Sequence, residues 1–342
     1  MKPAHALILL LLPLALPACS REEAPPPAAA ADTITPALEQ LAERAKPGTL
    51  GVLMLDLATN QGRGINIDRP LPMQSVFKLP LGIFVLALAD QGKVSLDEKI
   101  TLTKDQLSIA HSPIAEKFEE KQDYTIAELV RAAVAQSDNT AADVLLKRVG
   151  GPQALTRFFQ ERGVTDFRVD RYESELQPQA VGLPPFTGQW TGLDEFLEAQ
   201  EQVPLNSQKA AMTIHLADPR DRISARAAVE ILALLDRGKL LSPESTEKML
   251  EIMRSTSTGA DRLKAGAPKG ATVYHKTGTG PSVDGRNSAT NDIGIIELPG
   301  GRRIAVAALL SGSELPPEER AKIIAEVGRI AATELAAPAT AR

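Results

Sequence analysis

The chain has 342 residues, 43% hydrophobic and 24% charged, a globular balance that excludes global disorder and collagen-like repeats. At about 150 residues per domain, that length allows two domains or one large two-part unit. The formal net charge is −5 and aromatic residues are 4%, with a single tryptophan, Trp190, which excludes broad phosphate neutralisation and base stacking, and so nucleic acid as the main partner. One cysteine, Cys19, excludes an intrachain disulfide and a thiolate metal cluster.

Lys2 gives a positive N-terminus, residues 6–17 (ALILLLLPLALP) are apolar, and Ala18 and Cys19 follow. The run is too short and too broken by proline to span a bilayer, and it reads as a secretory signal over 1–18. Leu16-Pro17-Ala18-Cys19 resembles a bacterial lipoprotein processing box, with Pro17 atypical at its position. The resemblance implies cleavage before Cys19 and lipidation of its thiol, and Ser20 after it implies the outer membrane. The expected location is the periplasmic side of a bacterial membrane, lipid-anchored, or the soluble periplasm if Cys19 is not acylated. Residues 19–36, rich in Pro and Ala, read as a tether. Residues 336–342 read as a short tail.

The pattern predicts a helix over 37–46, stopped by Pro47-Gly48, then a strand over 49–57 with a turn at Gly62-Arg63-Gly64. Helical patterns follow at 79–90, 125–135, 141–149 and 224–237. Strands are expected at 271–279, 292–298 and 303–311, the last two joined as a hairpin by Pro299-Gly300-Gly301, and a final helix at 317–335. The fold class is therefore α+β. An antiparallel sheet flanked by helices, built from about 37–68 and 262–335, carries an inserted and mostly helical lobe over about 69–261. The groove between the two is the expected site, all within 37–335.

Four segments can carry chemistry. In Ser75-Val76-Phe77-Lys78 a helix start puts the hydroxyl and the amine on one face, and a serine needs such a neighbour to take its proton. A second nearby cation would depress the lysine pKa. A second copy, Ser245-Thr246-Glu247-Lys248, sits at a polar helix start and reads as structural. Ser137-Asp138-Asn139 reads either as a helix cap or as a proton-relaying hydroxyl beside a substrate-holding amide. Lys276-Thr277-Gly278-Thr279-Gly280, late on a strand, can bind a carboxylate and supply the second cation, or can be an edge strand with a protective lysine. The four histidines form no metal-spaced pair, and His275 reads as structural. No G-x-S-x-G elbow, P-loop or G-x-G-x-x-G is present.

SxxK, SDN and KTG in this order resemble the serine β-lactamase and penicillin-binding-protein superfamily. Arg171-Tyr172-Glu173-Ser174-Glu175-Leu176-Gln177 is similar to the Ω-loop of class A β-lactamases, and the resemblance covers about 37–335. It implies β-lactam hydrolysis through an acyl-enzyme. Ser75 is then the nucleophile, and Lys78, or Glu173 through a water, accepts its proton. Ser137 passes a proton to the lactam nitrogen, and Glu173 activates the deacylating water. Lys276, Thr277 and Asn139 bind substrate. The backbone N–H groups of Ser75 and Thr279 bind the oxyanion, and His111 stands at the edge of the site. No cofactor or metal is implied; the partners are a β-lactam substrate and a membrane through Cys19, with a monomeric chain.

Three features depart from the family pattern. Gln177 stands where the family usually has Asn. An excess of residues near 178–215 looks like an insertion at the Ω-loop, with a short helix over 192–202. Residues 281–289 lengthen the turn after KTG, which with Gln74-Ser75-Val76-Phe77-Lys78 points to the branch holding some extended-spectrum enzymes. Two alternatives remain: a D,D-peptidase or other penicillin-binding protein acting on peptidoglycan stem peptides, which needs no Glu173, and a non-turnover β-lactam sensor or wall-binding module.

Overall fold

A computed structural model describes residues 32–335 apart from 109 and 191–192. The expected signal, Cys19, most of the tether and the tail lie outside the described residues. Chain order is α1 (Ile34–Arg44), β1 (Thr49–Asp56), β2 (Gly62–Ile65), β3 (Leu71–Pro72), α2 (Lys78–Asp90), β4 (Lys99–Thr101), α3 (Pro113–Glu116), β5 (Asp123–Thr125), α4 (Ile126–Ala135), α5 (Asn139–Arg148), α6 (Pro152–Gln160) and β6 (Phe167–Arg168). There follow α7 (Glu173–Ala180), α8 (Leu193–Glu201), α9 (Leu205–Ala217), β7 (Arg222–Ile223), α10 (Ala225–Asp236), α11 (Pro243–Arg254), α12 (Leu263–Gly266), β8 (Thr272–Thr279), β9 (Ser282–Val283), β10 (Arg286–Glu297), β11 (Arg303–Ser313) and α13 (Pro317–Ile330).

The fold is α+β, as expected. The main sheet runs β2-β1-β11-β10-β8, with β9 added to β10. Its first and last long strands are neighbours: β1 pairs antiparallel with β11 from Thr49↔Ser311 to Asp56↔Ile304. Both faces of β11 are buried, and its side chains alternate between two cores. Ala305, Ala307 and Leu309 face the helical block, whereas Ile304, Val306, Ala308 and Leu310 pack with α1 and α13. The sheet is thus a middle layer between two helical ones.

Helix α2 is apolar all round, and residues 78–87 are all buried, so it forms the axis of the helical block rather than a surface helix. Gly82 admits the neighbouring helices: a Cβ there would meet Val134 Cγ2 at 2.8 Å and Met249 Cε at 2.9 Å.

Several expectations are corrected. Helix α1 begins three residues early, because Asp32 accepts the N–H groups of Ile34 (3.1 Å) and Thr35 (3.3 Å) and so satisfies its first turn. Gly62-Arg63-Gly64 is not a turn but the edge strand β2. The chain reverses just before it, where Asp56 accepts from the N–H groups of Ala58 and Thr59 and Asn60 takes φ 57°. Residues 281–289 are not a lengthened turn. They fold into the β9–β10 hairpin across Asp284-Gly285, whose φ values of 49° and 81° are both left-handed, the arrangement that suits the twist of a hairpin.

The insertion near 178–215 is largely helical. The helix expected at 192–202 is α8, and α9 follows it without having been read from the sequence. Phe186, Trp190 and Phe196 build a small core of their own with Leu107, Ala115 and Val181.

Candidate active site

Ser75 sits on a 3-10 turn (Gln74–Phe77) that runs directly into α2. Its backbone N–H lies in that first turn, where no earlier carbonyl of the helix is available to it. Lys78, one residue past the turn, is fully buried. Its Nζ donates to the Ser137 carbonyl (2.7 Å) and to Asn139 Oδ1, and lies 3.1 Å from Glu173 Oε1. All three N–H groups of the ammonium are thereby aimed at acceptors. Ser137 holds a left-handed φ of 62°, a conformation costly for a residue with a side chain and typical of functional sites. Here it turns the carbonyl toward Lys78.

Asp138 caps α5 by accepting the Ala141 N–H (2.8 Å), and it also accepts the Ile114 N–H (2.7 Å). The cap reading of this tripeptide therefore holds. The cap fixes the helix start that presents Asn139 to the groove. Burial raises the Asp138 pKa above the usual carboxylate range.

Lys276, also fully buried on β8, donates to Ser137 Oγ (2.9 Å) and to the Thr277 carbonyl (2.7 Å). Burial first, and the Lys78 ammonium second, hold its pKa well below the ordinary lysine value. The Thr277 hydroxyl pairs with that of Thr258 at 2.6 Å. Across the edge of the sheet, Gly280 N–H donates to Ala289 O at 2.9 Å. By antiparallel alternation the Thr279 N–H then points off the open edge of β8, toward the groove. Gly278 allows β8 to lie against the Ser75 turn, since a Cβ there would come within 2.5 Å of the Met73 carbonyl oxygen.

Glu173 opens α7 and is fully buried. Ser75 Oγ donates to its Oε1 at 3.4 Å, and Gln177, one helical turn on, donates from Nε2 to its Oε2 at 2.7 Å. The groove outside these groups has a volume of about 340 Å³ and is lined by Ser75, His111, Asn139, Gln177, Leu197 and Thr279 among others. His111 stands at its rim with Nε2 2.9 Å from the Gln136 carbonyl. Ser75, Lys78, Ser137, Asn139, Glu173, Lys276, Thr277, Thr279 and His111 are thus gathered at one place. The second SxxK copy is elsewhere: Ser245 Oγ donates to Asp90 at 2.6 Å at the start of α11. His275 is buried with Nδ1 3.0 Å from the Asp292 carboxylate.

Two residues of the site lie outside the motifs of the sequence. Arg262 donates to Thr279 Oγ1 (2.7 Å) and to the Asn291 carbonyl (2.9 Å), adding a guanidinium beside the KTG strand. Asp143 accepts the backbone N–H groups of Glu173 (2.7 Å) and Ser174 (2.9 Å). Asp143 lies one helical turn after Asn139, a spacing that could have placed it on the same face; Arg262 had no such signal. Among the described residues, no cluster of His, Cys, Asp and Glu could hold a metal ion.

The model of the Beta-lactamase enzyme family matches residues 33–335. The chain is 31% identical over 300 residues to the β-lactamase VEB-1 of Pseudomonas aeruginosa, covering 87% of this chain and 89% of that protein. A β-lactamase crystal structure from Chitinophaga pinensis superposes with a TM-score of 0.72 at 30% identity, over 88% of this chain and 99% of the other. An ancestral class A β-lactamase superposes with a TM-score of 0.70 at 36% identity, over 87% and 98%.

Proposed function

The chain belongs to the class A serine β-lactamase family and hydrolyses β-lactams, and from that premise we propose the following roles for its residues. Ser75 Oγ attacks the lactam carbonyl carbon, and its proton passes to the Lys78–Glu173 pair. Glu173 Oε1 lies 3.4 Å from that hydroxyl and 3.1 Å from Lys78 Nζ, so the pair shares the acylation proton and Lys78 serves when Glu173 is replaced, whereas deacylation depends on Glu173. The oxyanion is held by the N–H groups of Ser75 and Thr279, worth roughly 3 kcal/mol per donor. The C–N bond then breaks, and Ser137 gives its proton to the leaving nitrogen and is replenished by Lys276, its donor at 2.9 Å. Lys276 regains a proton and the Lys78–Glu173 pair releases the one it took, both through the solvent of the groove. Glu173 then removes a proton from water, whose oxygen attacks the acyl carbon, and hands it to Ser75 Oγ as the acyl C–O bond breaks.

Lys276, Thr277 and Arg262 form the carboxylate subsite, Asn139 holds the substrate's side-chain amide, and His111 borders the groove. The observation that carries these assignments is the Ser75–Glu173–Lys78 contact set, with Glu173 and Lys78 fully buried behind the groove. It also disfavours the peptidase and sensor readings, neither of which needs a carboxylate at the nucleophile. The test is Glu173→Gln with a chromogenic cephalosporin, followed by colour and intact mass. The expected result is formation of a covalent adduct on Ser75 that is no longer cleared. Unchanged steady-state turnover removes Glu173 from the mechanism.

The Leu16-Pro17-Ala18-Cys19 segment supports a further part of the reading: residues 1–18 are removed, and a lipid on Cys19 tethers a monomeric enzyme to the periplasmic side of the membrane. Cys19→Ala is expected to release the protein into the soluble fraction. Wild-type protein that is already soluble overturns the anchor.

A further inference from the structure

Gln74 precedes the nucleophile in a left-handed conformation (φ 48°) and is 1% exposed. Its side chain lies in a line of polar groups that ends on Glu173 and whose other members no step above uses. Gln177 Nε2 donates both to Glu173 Oε2 (2.7 Å) and to Gln74 Oε1 (3.2 Å). Gln74 Nε2 in turn lies 3.1 Å from Nε2 of His215, a buried residue of the inserted helix α9. Glu173 thus connects through two amides to a histidine 141 residues along the chain from Gln74.

The orientation of each group follows from the carboxylate end. An ionised carboxylate only accepts, so Gln177 must present its amide nitrogen to Glu173. The second N–H of that nitrogen points at Gln74, which must therefore show its oxygen. Gln74 then faces His215 with its own nitrogen, and an amide nitrogen donates only. His215 Nε2 must accept, so the imidazole is neutral with its proton on Nδ1.

We propose that His215 is a positioning residue for deacylation: as the terminal acceptor of this line, it fixes which way round Gln74 and Gln177 stand and so keeps an N–H on Glu173. Without an acceptor at 215, or with an imidazolium there, the nitrogen of Gln74 faces nothing or another donor. The amide turns over, Gln177 loses its acceptor and turns in its own right, and Glu173 loses the donor that holds it toward Ser75. The groups around His215 support the neutral form. Burial first, then Arg171 and Arg222, disfavour a second proton, against the opposing carboxylate of Asp218. Its Nδ1 is buried without a hydrogen-bond partner among the described residues, so the ring is held by its single bond to Gln74 and by packing.

The inference rests on Glu173 as the deacylation base, and its test separates the two. Acylation and deacylation rates are measured by single-turnover mass spectrometry for the wild type, His215→Phe and His215→Gln. In His215→Phe, acylation is expected to stay within about twofold, while deacylation slows roughly tenfold, the value of one hydrogen bond. As deacylation becomes limiting, kcat and KM fall together and kcat/KM holds. His215→Gln, whose amide oxygen can accept, is expected to recover most of the lost rate. Deacylation at the wild-type rate in His215→Phe, or equal slowing in both variants, overturns the proposal. If His215→Phe does not fold, 15N NMR of the wild-type imidazoles decides: a protonated Nδ1 with an unprotonated Nε2 at His215 supports it, and a protonated Nε2 overturns it. Normal deacylation in Glu173→Gln would instead remove the base, and the inference with it.

Discussion

Asp143 accepts the backbone N–H of Glu173 at 2.7 Å and that of Ser174 at 2.9 Å, so one buried carboxylate satisfies two of the otherwise unpaired donors at the start of α7. A negative charge also suits the N-terminus of a helix. Asp143 is itself held by the Ser108 hydroxyl at 2.6 Å. Burial raises its pKa, and the neighbouring Glu173 charge adds to the rise. Glu173 is therefore placed through its own backbone, by a residue on the helix that also carries Asn139.

Replacing Asp143 by Ala leaves both N–H groups buried without an acceptor. At about 1–3 kcal/mol for each buried polar group left unpaired, Asp143→Ala is expected to cost roughly 3 kcal/mol of stability. Deacylation is expected to suffer more than acylation, because Lys78 keeps the Ser137 carbonyl and Asn139 Oδ1 and still serves the serine proton. Denaturant unfolding and acyl-enzyme lifetime measure the two effects, and a variant with wild-type values of both removes Asp143 from the placement of Glu173.

The insertion offers a second, local test. Trp190 stacks on Phe186 (5.8 Å between centroids) and meets Phe196 edge-on at 5.5 Å. These rings hold the segment in a core distinct from the two that flank the sheet. Phe196→Ala removes one wall of it, at a local cost of about 3 kcal/mol or more. Because Trp190 is the only tryptophan, the change is readable directly. Its emission is expected to shift to the red, while global melting followed at the helical block moves little. An unshifted emission would mean that the insertion is held by something other than these rings.

Legibility in the sequence followed chain distance. Ser75 and Lys78 were readable because a helix start alone sets them on one face, where both reach Glu173 Oε1, and Lys276 because glycines follow it late on its strand. Asp138 was readable twice over, as a cap and as part of a motif. Glu173 was recognised through the likeness of its segment to an Ω-loop, and nothing in its own neighbours marked it as a base. Asp143 reaches Glu173 across 30 residues, and Gln74 reaches His215 across 141. Such contacts arise from packing of whole helices and leave no local pattern. The misread turns at 62–64 and 281–289 have a similar origin: glycine there serves strand pairing or the tip of a hairpin, and composition alone does not separate the two.

His215 also makes stability depend on pH in a stated direction. Burial, then Arg171 and Arg222, lower its pKa from the ordinary 6.5 to about 4. Between these values the unfolded chain binds a proton that the folded protein refuses, so stability falls as pH falls. The contribution is complete above about pH 6.5 and is lost on approach to pH 4, amounting to roughly 3 kcal/mol at 1.36 kcal/mol per pKa unit. Asp138, Asp143 and Asp221, whose pKa values burial raises, act in the opposite sense. They favour the fold as acid protonates them, and they mask the histidine in the wild type alone. The difference between the wild type and His215→Gln isolates it, because the carboxylates are common to both. Unfolding free energies at pH 7 and pH 4 are expected to show the wild type losing about 3 kcal/mol relative to the variant; a difference that does not change with pH would mean His215 accepts its proton in the folded state as readily as in the unfolded one.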